Sequence, residues 1–358
     1  MNQTQKTVLI AAILISIGVA HVFPDHSTPI QLQPLPNRKV LHTDYHVYQT
    51  FNNCGPAALS MALRYYDITI SQETLGNQLR PYQHPEGDND DKSVTLAELA
   101  DKAKEYNLVP FHRPNGTIEM MQHFISHGIP VITRTWLKAD EDIGHYRVVT
   151  GYDKTEQYII QEDSMQGKDL QYSYSKFNTI WEKFNFEYMV MVPNKKVKIA
   201  KAILGKNTNK QKAWETAAER ARSRLTESPD NITARFNLVV ALHNTGKHKQ
   251  AVTEFEKIQQ NLPPRALWYQ TEPIKSYVLL KQYDTALSII ESILKNDNRA
   301  FSELYMIRGN IYLNEGKTDL ARKEYKKAHR YNKNMKAPLN ALEKIHEIEE
   351  RNILHYRK

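Results

Sequence analysis

The stretch Tyr48-Gln49-Thr50-Phe51-Asn52-Asn53-Cys54-Gly55-Pro56-Ala57-Ala58-Leu59 contains Cys54, the only cysteine in the 358 residues. Apolar residues crowd the run from Ala57 to Tyr66, and Pro56 suits a first helical position because its missing N–H needs no partner there. We therefore expect Cys54 at or just before a helix N-terminus, where the helix dipole and free backbone N–H groups favour a thiolate. A free cysteine is more often a small buried hydrophobic residue, so a catalytic role requires partners elsewhere in the chain.

Candidate partners follow in a region of three β-type runs separated by turn residues, which predict an antiparallel meander. The runs are 129–136, 144–152 and 157–161. His145 begins the second run and Asp163 follows the third, so antiparallel pairing brings them to the same edge of the sheet. Asp153 is an alternative to Asp163, but it lies at the far end of the His145 strand and ranks well below.

These residue types fit nucleophilic catalysis by a thiol. A thiolate needs a base that takes and returns a proton near neutral pH, which histidine provides, and an acidic side chain orients that histidine. The backbone N–H of Cys54 and the side-chain amide of Gln49 would stabilise the oxyanion. Cys54, His145, Asp163 and Gln49 occur in the chain order that a papain-like fold requires.

The Gln49 to Leu59 motif, the Gly144 to Tyr152 motif and Asp163 together resemble the bacteriocin-processing, double-glycine leader peptidases and their stand-alone relatives, over roughly residues 45–193. The resemblance implies that Cys54 is the nucleophile, His145 the general base and acid, Asp163 the orienting residue and Gln49 an oxyanion donor.

Two departures from the family pattern limit what the resemblance implies. Gln49 precedes Cys54 by five residues, whereas six is more common in papain-like enzymes, so Asn52 or Asn53 are alternative oxyanion donors. No transporter segment follows in this sequence, so specificity for a double-glycine leader does not carry over.

The fold class expected for this region is α+β, with N-terminal helices packed on an antiparallel sheet. Helices are predicted at 71–79, from Thr95 through about Tyr106 with a capping box, and at 117–127, with a short strand at 109–111 between the last two.

No metal or cofactor is expected. The acidic cluster Glu86–Asp91 resembles a calcium loop but lacks its spacing and is predicted to be a solvated loop. His112, His123 and His127 are predicted to be surface histidines, because no zinc-site pattern accompanies them.

The N-terminal segment predicts export. The apolar run Val8–Ala20 fits a secretory signal peptide within residues 1–21, and an uncleaved segment would anchor the protein to a membrane. Residues 22–44, with four prolines, are predicted to be an extended linker. A single cysteine excludes an internal disulfide framework. The expected location is therefore extracytoplasmic, in the periplasm or at the cell surface of a bacterium.

The second half of the chain is predicted to be a solenoid of tetratricopeptide-like helical repeats. Residues 194–210 are rich in Lys and Asn and predict a linker before the helical region 211–358. Ala251, Ala286 and Ala321 recur every 35 residues, and the run from Asn310 to Ala328 resembles the tetratricopeptide consensus. We expect three full repeats over about 231–332, a partial repeat before them and a capping helix after them.

Charge differs between the two halves. Residues 195–358 have a net charge of +14 and residues 22–194 a net charge of −7. The basic residues are scattered and no base-reading motif accompanies them, so a nucleic-acid partner is not expected. The basic half would fit an acidic protein segment or an anionic envelope polymer, or it is simply a solvated exterior attracted to the acidic first half of the same chain. The repeats predict a protein partner or substrate.

The sequence thus predicts an exported cysteine peptidase that cleaves a peptide or isopeptide bond. Two alternatives stay open at this point. One is a catalytically silent peptidase-like scaffold that binds peptides, and the other is a thiol acyltransferase or transpeptidase that uses the same residues.

Overall fold

The computed structural model describes residues 32–80, 94–296 and 298–356, with side chains described up to residue 350. The predicted signal segment (1–21), residues 22–31 of the predicted linker and the acidic cluster Glu86–Asp91 lie outside the described residues. Within the described ranges, none of the helices combines the length and the apolar character that crossing a bilayer requires.

An antiparallel sheet of seven strands is the centre of the first half of the described chain. The strands are β1 (Arg38–Val40), β2 (Val109–Arg113), β3 (Val131–Lys138), β4 (Glu141–Asp153), β5 (Tyr158–Asp163), β6 (Gly167–Ser173) and β7 (Tyr188–Val192). Their order is β2-β7-β3-β4-β5-β6, with β1 also paired to β4. Because β3, β4 and β5 pair in succession, the predicted antiparallel meander is confirmed.

Helices cover both faces of this sheet. They are α1 (Cys54–Arg64), α2 (Gln72–Leu79), α3 (Leu96–Lys104), α4 (Ile118–Ser126), α5 (Tyr174–Trp181) and α6 (Val197–Leu204). Successive strand residues point to opposite faces. Val148 accordingly packs with α1, α2 and α3, whereas Val149 packs with α4, α5 and α6. The predicted capping box between Thr95 and Glu98 is present at the start of α3.

Both predicted linkers contribute to this domain, contrary to expectation. Residues 38–40 form β1, which pairs with the end of β4 beyond the part that β3 covers, so their extended backbone gains sheet hydrogen bonds. Residues 197–204 form α6, whose apolar residues recur at helical spacing and bury Ala200 and Leu204 in the core. The lysines that suggested a linker alternate with those apolar positions.

The second half is helical throughout, as predicted. Its helices are α7 (Lys210–Glu227), α8 (Ile232–Asn244), α9 (His248–Glu256), α10 (Ala266–Tyr269), α11 (Glu272–Leu279), α12 (Tyr283–Asn296), α13 (Ser302–Asn314), α14 (Thr318–Tyr331) and α15 (Lys336–Tyr356). The pairs α8/α9, α11/α12 and α13/α14 correspond to the three predicted repeats, and α15 follows them. Ala251, Ala286 and Ala321, the recurring small residues, are each 0% exposed.

The first helix of the second repeat is interrupted, which the 35-residue period does not predict. The first helices α8 and α13 each contain 13 residues, whereas α11 contains 8 and is preceded by the separate turn α10. Pro273 is the cause, because it has no N–H to donate to the carbonyl of Tyr269, four residues earlier. Arg134 of β3 donates to that carbonyl instead, from Nη2 at 3.0 Å.

Candidate active site

Cys54 is the first residue of α1, directly after the N-cap residue Asn53. The predicted position at a helix N-terminus is confirmed, but Pro56 is the third helical residue rather than the first. The third position tolerates proline as well, because N–H groups of the first turn have no acceptor within the helix. Cys54 is 6% exposed, and the apolar residues that follow it bury α1 against the sheet.

His145 and Asp163 come together through the register of β4 and β5. Arg147 stands directly opposite Asp163, and His145, two residues earlier on β4, shares its face of the sheet. His145 Nε2 lies 2.8 Å from Asp163 Oδ1, and the side chains of His145 and Cys54 line the same cavity, close enough to interact. Since Nε2 faces Asp163, Nδ1 is the ring nitrogen that is left for the thiol. Asp163, rather than Asp153, is therefore the partner of His145.

Arg147 is a site residue that the sequence analysis missed. Its side chain is 0% exposed, and its Nε lies 3.0 Å from Asp163 Oδ2. Asp163 Oδ1 also accepts the backbone N–H groups of Met165 at 2.8 Å and Gln166 at 2.9 Å. Burial tends to raise the pKa of Asp163, but the contacts with His145, Arg147 and Met165 hold that pKa well below its usual range. An arginine between the apolar residues Tyr146 and Val148, both buried, was the signal that could have revealed this pairing.

The electrostatics of the site favour a charged thiolate and imidazolium. Burial alone raises the pKa of Cys54, but the hydrogen bond to His145 and the positive charges of His145 and Arg80 bring that pKa below its usual value. Burial alone lowers the pKa of His145, but the hydrogen bonds with Asp163 and Cys54 raise it above its usual value. Each group thus stabilises the charged form of the other.

Gln49 lines the same cavity as Cys54 and His145. Its Oε1 accepts a hydrogen bond from Ser164 Oγ at 2.9 Å, and its backbone N–H donates to the Ser164 carbonyl. Because the carbonyl end of the side chain is held by Ser164, the amide end is left to act as a donor. The alternative Asn53 donates its side-chain amide to Thr50 Oγ1 at 2.7 Å, which makes it the weaker candidate.

The cavity at Cys54 has a volume of about 550 Å³, within the range of small-molecule and peptide sites. Its walls come from both halves of the chain, since Arg265, Trp268 and Tyr269, in and just before α10, line it together with Cys54 and His145. The 35-residue period predicts a continuous helix there, so this contribution could not be predicted from the repeats.

The other histidines do not form a metal site in the described part of the chain, where no group of three or more potential ligands occurs. His112 lies 3.5 Å from Glu187, and His127 Nδ1 lies 2.7 Å from the carbonyl of His123. All three histidines are half-buried rather than on the surface as predicted, because they lie on β2 and at the end of α4 against the sheet.

Fold and site together define an α+β domain of the papain-like cysteine peptidase class, followed by helical repeats. Residues 36–189 match the model of the Peptidase_C39 like family, and residues 302–335 match the tetratricopeptide repeat model. The chain thus contains a C39-peptidase-like domain followed by tetratricopeptide repeats, and the resemblance stated from the sequence is confirmed. No curated protein matches the chain.

Solved structures similar to parts of the chain include a C39-like peptidase from Bacillus anthracis. It is 19% identical with a TM-score of 0.36, over 44% of this chain and 99% of that one. The peptidase domain of Streptococcus ComA is 19% identical with a TM-score of 0.34, over 41% and 97%. MamA from Desulfovibrio magneticus is 18% identical with a TM-score of 0.31, over 39% and 87%.

Proposed function

We propose that the protein is a cysteine peptidase that cleaves a peptide or isopeptide bond through Cys54, His145 and Asp163. The observation that carries the proposal is the position of His145, which lies in one cavity with Cys54 and has its Nε2 2.8 Å from Asp163 Oδ1. A buried histidine between a helix-start cysteine and a carboxylate that is itself held by an arginine fits proton transfer at the thiol.

In the proposed reaction, the Cys54 thiolate attacks the carbonyl carbon of the scissile bond. The backbone N–H of Cys54 and the amide of Gln49 stabilise the oxyanion of the tetrahedral intermediate. The intermediate collapses to a thioester as His145 gives its proton to the departing amine. His145 then removes a proton from water, which attacks the thioester, releases the carboxylic acid and restores the Cys54 thiolate beside the protonated His145. Asp163 keeps Nδ1 of His145 directed at the sulfur throughout.

Export and partner binding are further parts of the proposal. The apolar run Val8–Ala20 supports export to an extracytoplasmic compartment. The tetratricopeptide match supports binding of a protein partner or substrate by the helical repeats. Fractionation of cells that produce the full chain tests the first part, since recovery in the cytosol with an intact N-terminus would contradict it.

The catalytic part is tested with an electrophilic peptide probe on the full chain. Because Cys54 is the only cysteine, any thiol labelling reports this position alone. The wild type is expected to be labelled once per chain, much faster than after unfolding in urea, and Cys54→Ala not at all. A wild type that reacts no faster folded than unfolded would contradict the proposal. Comparison of protein termini in cells with wild type or Cys54→Ala then identifies the substrate.

A further inference from the structure

The turn α10 of the repeat region is fixed on the peptidase-like domain beside His145. Arg265 donates its backbone N–H to Asp142 Oδ2 at 2.9 Å and Nη1 to Asp142 Oδ1 at 2.7 Å. The Tyr269 carbonyl accepts from Arg134, as described above. These contacts attach both ends of α10 to strands of the sheet, one of which is β4, the strand that carries His145.

Tyr269 packs directly on the residue before His145. A Cβ added at Gly144 would lie 2.9 Å from Tyr269 Cε1, so only glycine allows the ring to approach the backbone this closely. Tyr269 also lines the cavity at Cys54, and burial together with the charge of Cys54 raises the pKa of its hydroxyl. Tyr269 therefore lies within electrostatic range of the sulfur.

Exposed apolar side chains are concentrated around this cavity. Eight large hydrophobic residues are exposed in the described part of the chain, and four of them, Tyr48, Phe51, Ile143 and Met165, line the cavity. Trp268 lines the cavity from the side of the repeats, and no Asp or Glu of the described residues does so. Exposed apolar clusters of this kind mark sites where an apolar ligand binds.

We infer that the repeat region completes the substrate cleft, with Trp268 and Tyr269 forming the wall that selects a bulky apolar side chain beside the scissile bond. The inference rests on the proposed peptidase function and adds its substrate class. The occupant is a peptide segment rather than a permanent partner, because the cavity contains the thiol that must contact the scissile carbonyl. The repeats then act within the active site itself, in addition to any partner that they bind elsewhere.

The test uses the full chain and peptidyl acyloxymethyl ketones that differ only in the residue beside the electrophile: Phe, Leu, Ala or Lys. Labelling rates are measured by intact mass, and iodoacetamide reports the reactivity of the thiol itself. For the wild type we expect the Phe and Leu probes to react about tenfold faster than the Ala and Lys probes, since apolar pockets discriminate by about 10- to 200-fold. The ratio of the Phe rate to the Ala rate is unaffected by any loss of folded protein.

In Trp268→Ala we expect this ratio to fall to about threefold or less, because the apolar wall is removed. Tyr269→Phe retains the ring on Gly144 and is expected to keep the ratio, whereas Tyr269→Ala is expected to lower it. Leu320→Ala is the matched control, because Leu320 is an exposed apolar residue of the repeats that does not line the cavity.

Two results would overturn the inference, and they differ from each other. If the wild type is labelled but Trp268→Ala and Tyr269→Ala keep its ratio, the repeats do not select the substrate, although the peptidase proposal stands. If iodoacetamide reacts at the rate of a free cysteine and no peptide probe labels the wild type, both the proposed peptidase function and the inferred substrate cleft are contradicted.

Discussion

Replacement of Asp163 by Asn separates the structural and electrostatic roles of this carboxylate. The substitution keeps the size of the side chain but removes its charge, so Arg147, 0% exposed, loses its ion pair and His145 loses an anionic acceptor. Breaking a buried ion pair by removing one partner costs about 3–5 kcal/mol of the free energy of unfolding. Without the carboxylate, burial and the positive charge of Arg147 both lower the pKa of His145. We therefore expect the rate of labelling by a peptide probe to fall on the order of 10²- to 10⁴-fold.

Asp153→Asn is a matched control for this experiment. Asp153, like Asp163, is the last residue of a strand, and it accepts two successive backbone N–H groups, from Thr155 at 2.9 Å and Glu156 at 3.0 Å. Asp153 is paired with the exposed Arg38, 3.6 Å away. Asp153→Asn should therefore lower the free energy of unfolding by about 1 kcal/mol and leave the labelling rate unchanged. Urea unfolding and labelling rates are measured on both variants. Equal losses of stability and of labelling rate in the two variants would refute the assigned role of Asp163.

The pH dependence of the Asp163→Asn effect follows from the two shifted pKa values. The pKa of Asp163 is lowered, so its contribution is present above about pH 4 and is lost as the pH falls further. The pKa of His145 is raised, so its contribution is present below about pH 6.5 and is lost as the pH rises through the folded-state value. The stability difference between wild type and Asp163→Asn should therefore be largest between these limits, as measured by urea unfolding across pH.

Three further predictions concern the same cavity. Because the pKa of Cys54 is lowered, alkylation by iodoacetamide should fall less steeply from pH 8 to pH 6 than that of a free cysteine, whose rate falls about tenfold per pH unit. Ser164→Ala removes the hydrogen bond that holds the Gln49 side chain and should lower kcat by a larger factor than it changes KM. The fall in kcat should be smaller than the roughly 10²-fold expected for Gln49→Ala. Gly144→Ala should cost about 1–3 kcal/mol in thermal unfolding by crowding Tyr269, and Tyr269→Ala in the same chain should relieve part of that cost.

Several features of the fold follow from local patterns in the sequence. The N-terminus of α1 and the cap of α3 depend on neighbouring residues, so their sequence signals suffice. The repeats also follow from a regular pattern, in which Gly246, Lys281 and Gly316 recur at 35-residue intervals. All three residues adopt positive φ, +59°, +75° and +75°, at the turn between the helices of a repeat.

The pairing of His145 with Asp163 was predictable for a different reason. Three consecutive strands with short turns pair as antiparallel neighbours, so the end of β5 lies beside the first half of β4, where Asp163 pairs with Arg147. The oxyanion donor was less certain from the sequence, because the spacing of Gln49 is unusual. Its support comes from Ser164, which lies 115 residues away along the chain and is adjacent only after folding.

The sequence by itself determined the classes of the two domains, the three residues proposed for catalysis and the period of the repeats, because each of these depends on residue type at short or regular spacing. Only the tertiary structure decided that Arg147 holds Asp163, that residues 38–40 and 197–204 belong to the peptidase-like domain, and that α10 forms a wall of the cavity at Cys54. The physical reason is that these features depend on contacts between distant segments. Pro273 can be recognised as a helix breaker from the sequence. Only the folded chain shows that the resulting turn α10 accepts a hydrogen bond from Arg134 and packs against Gly144.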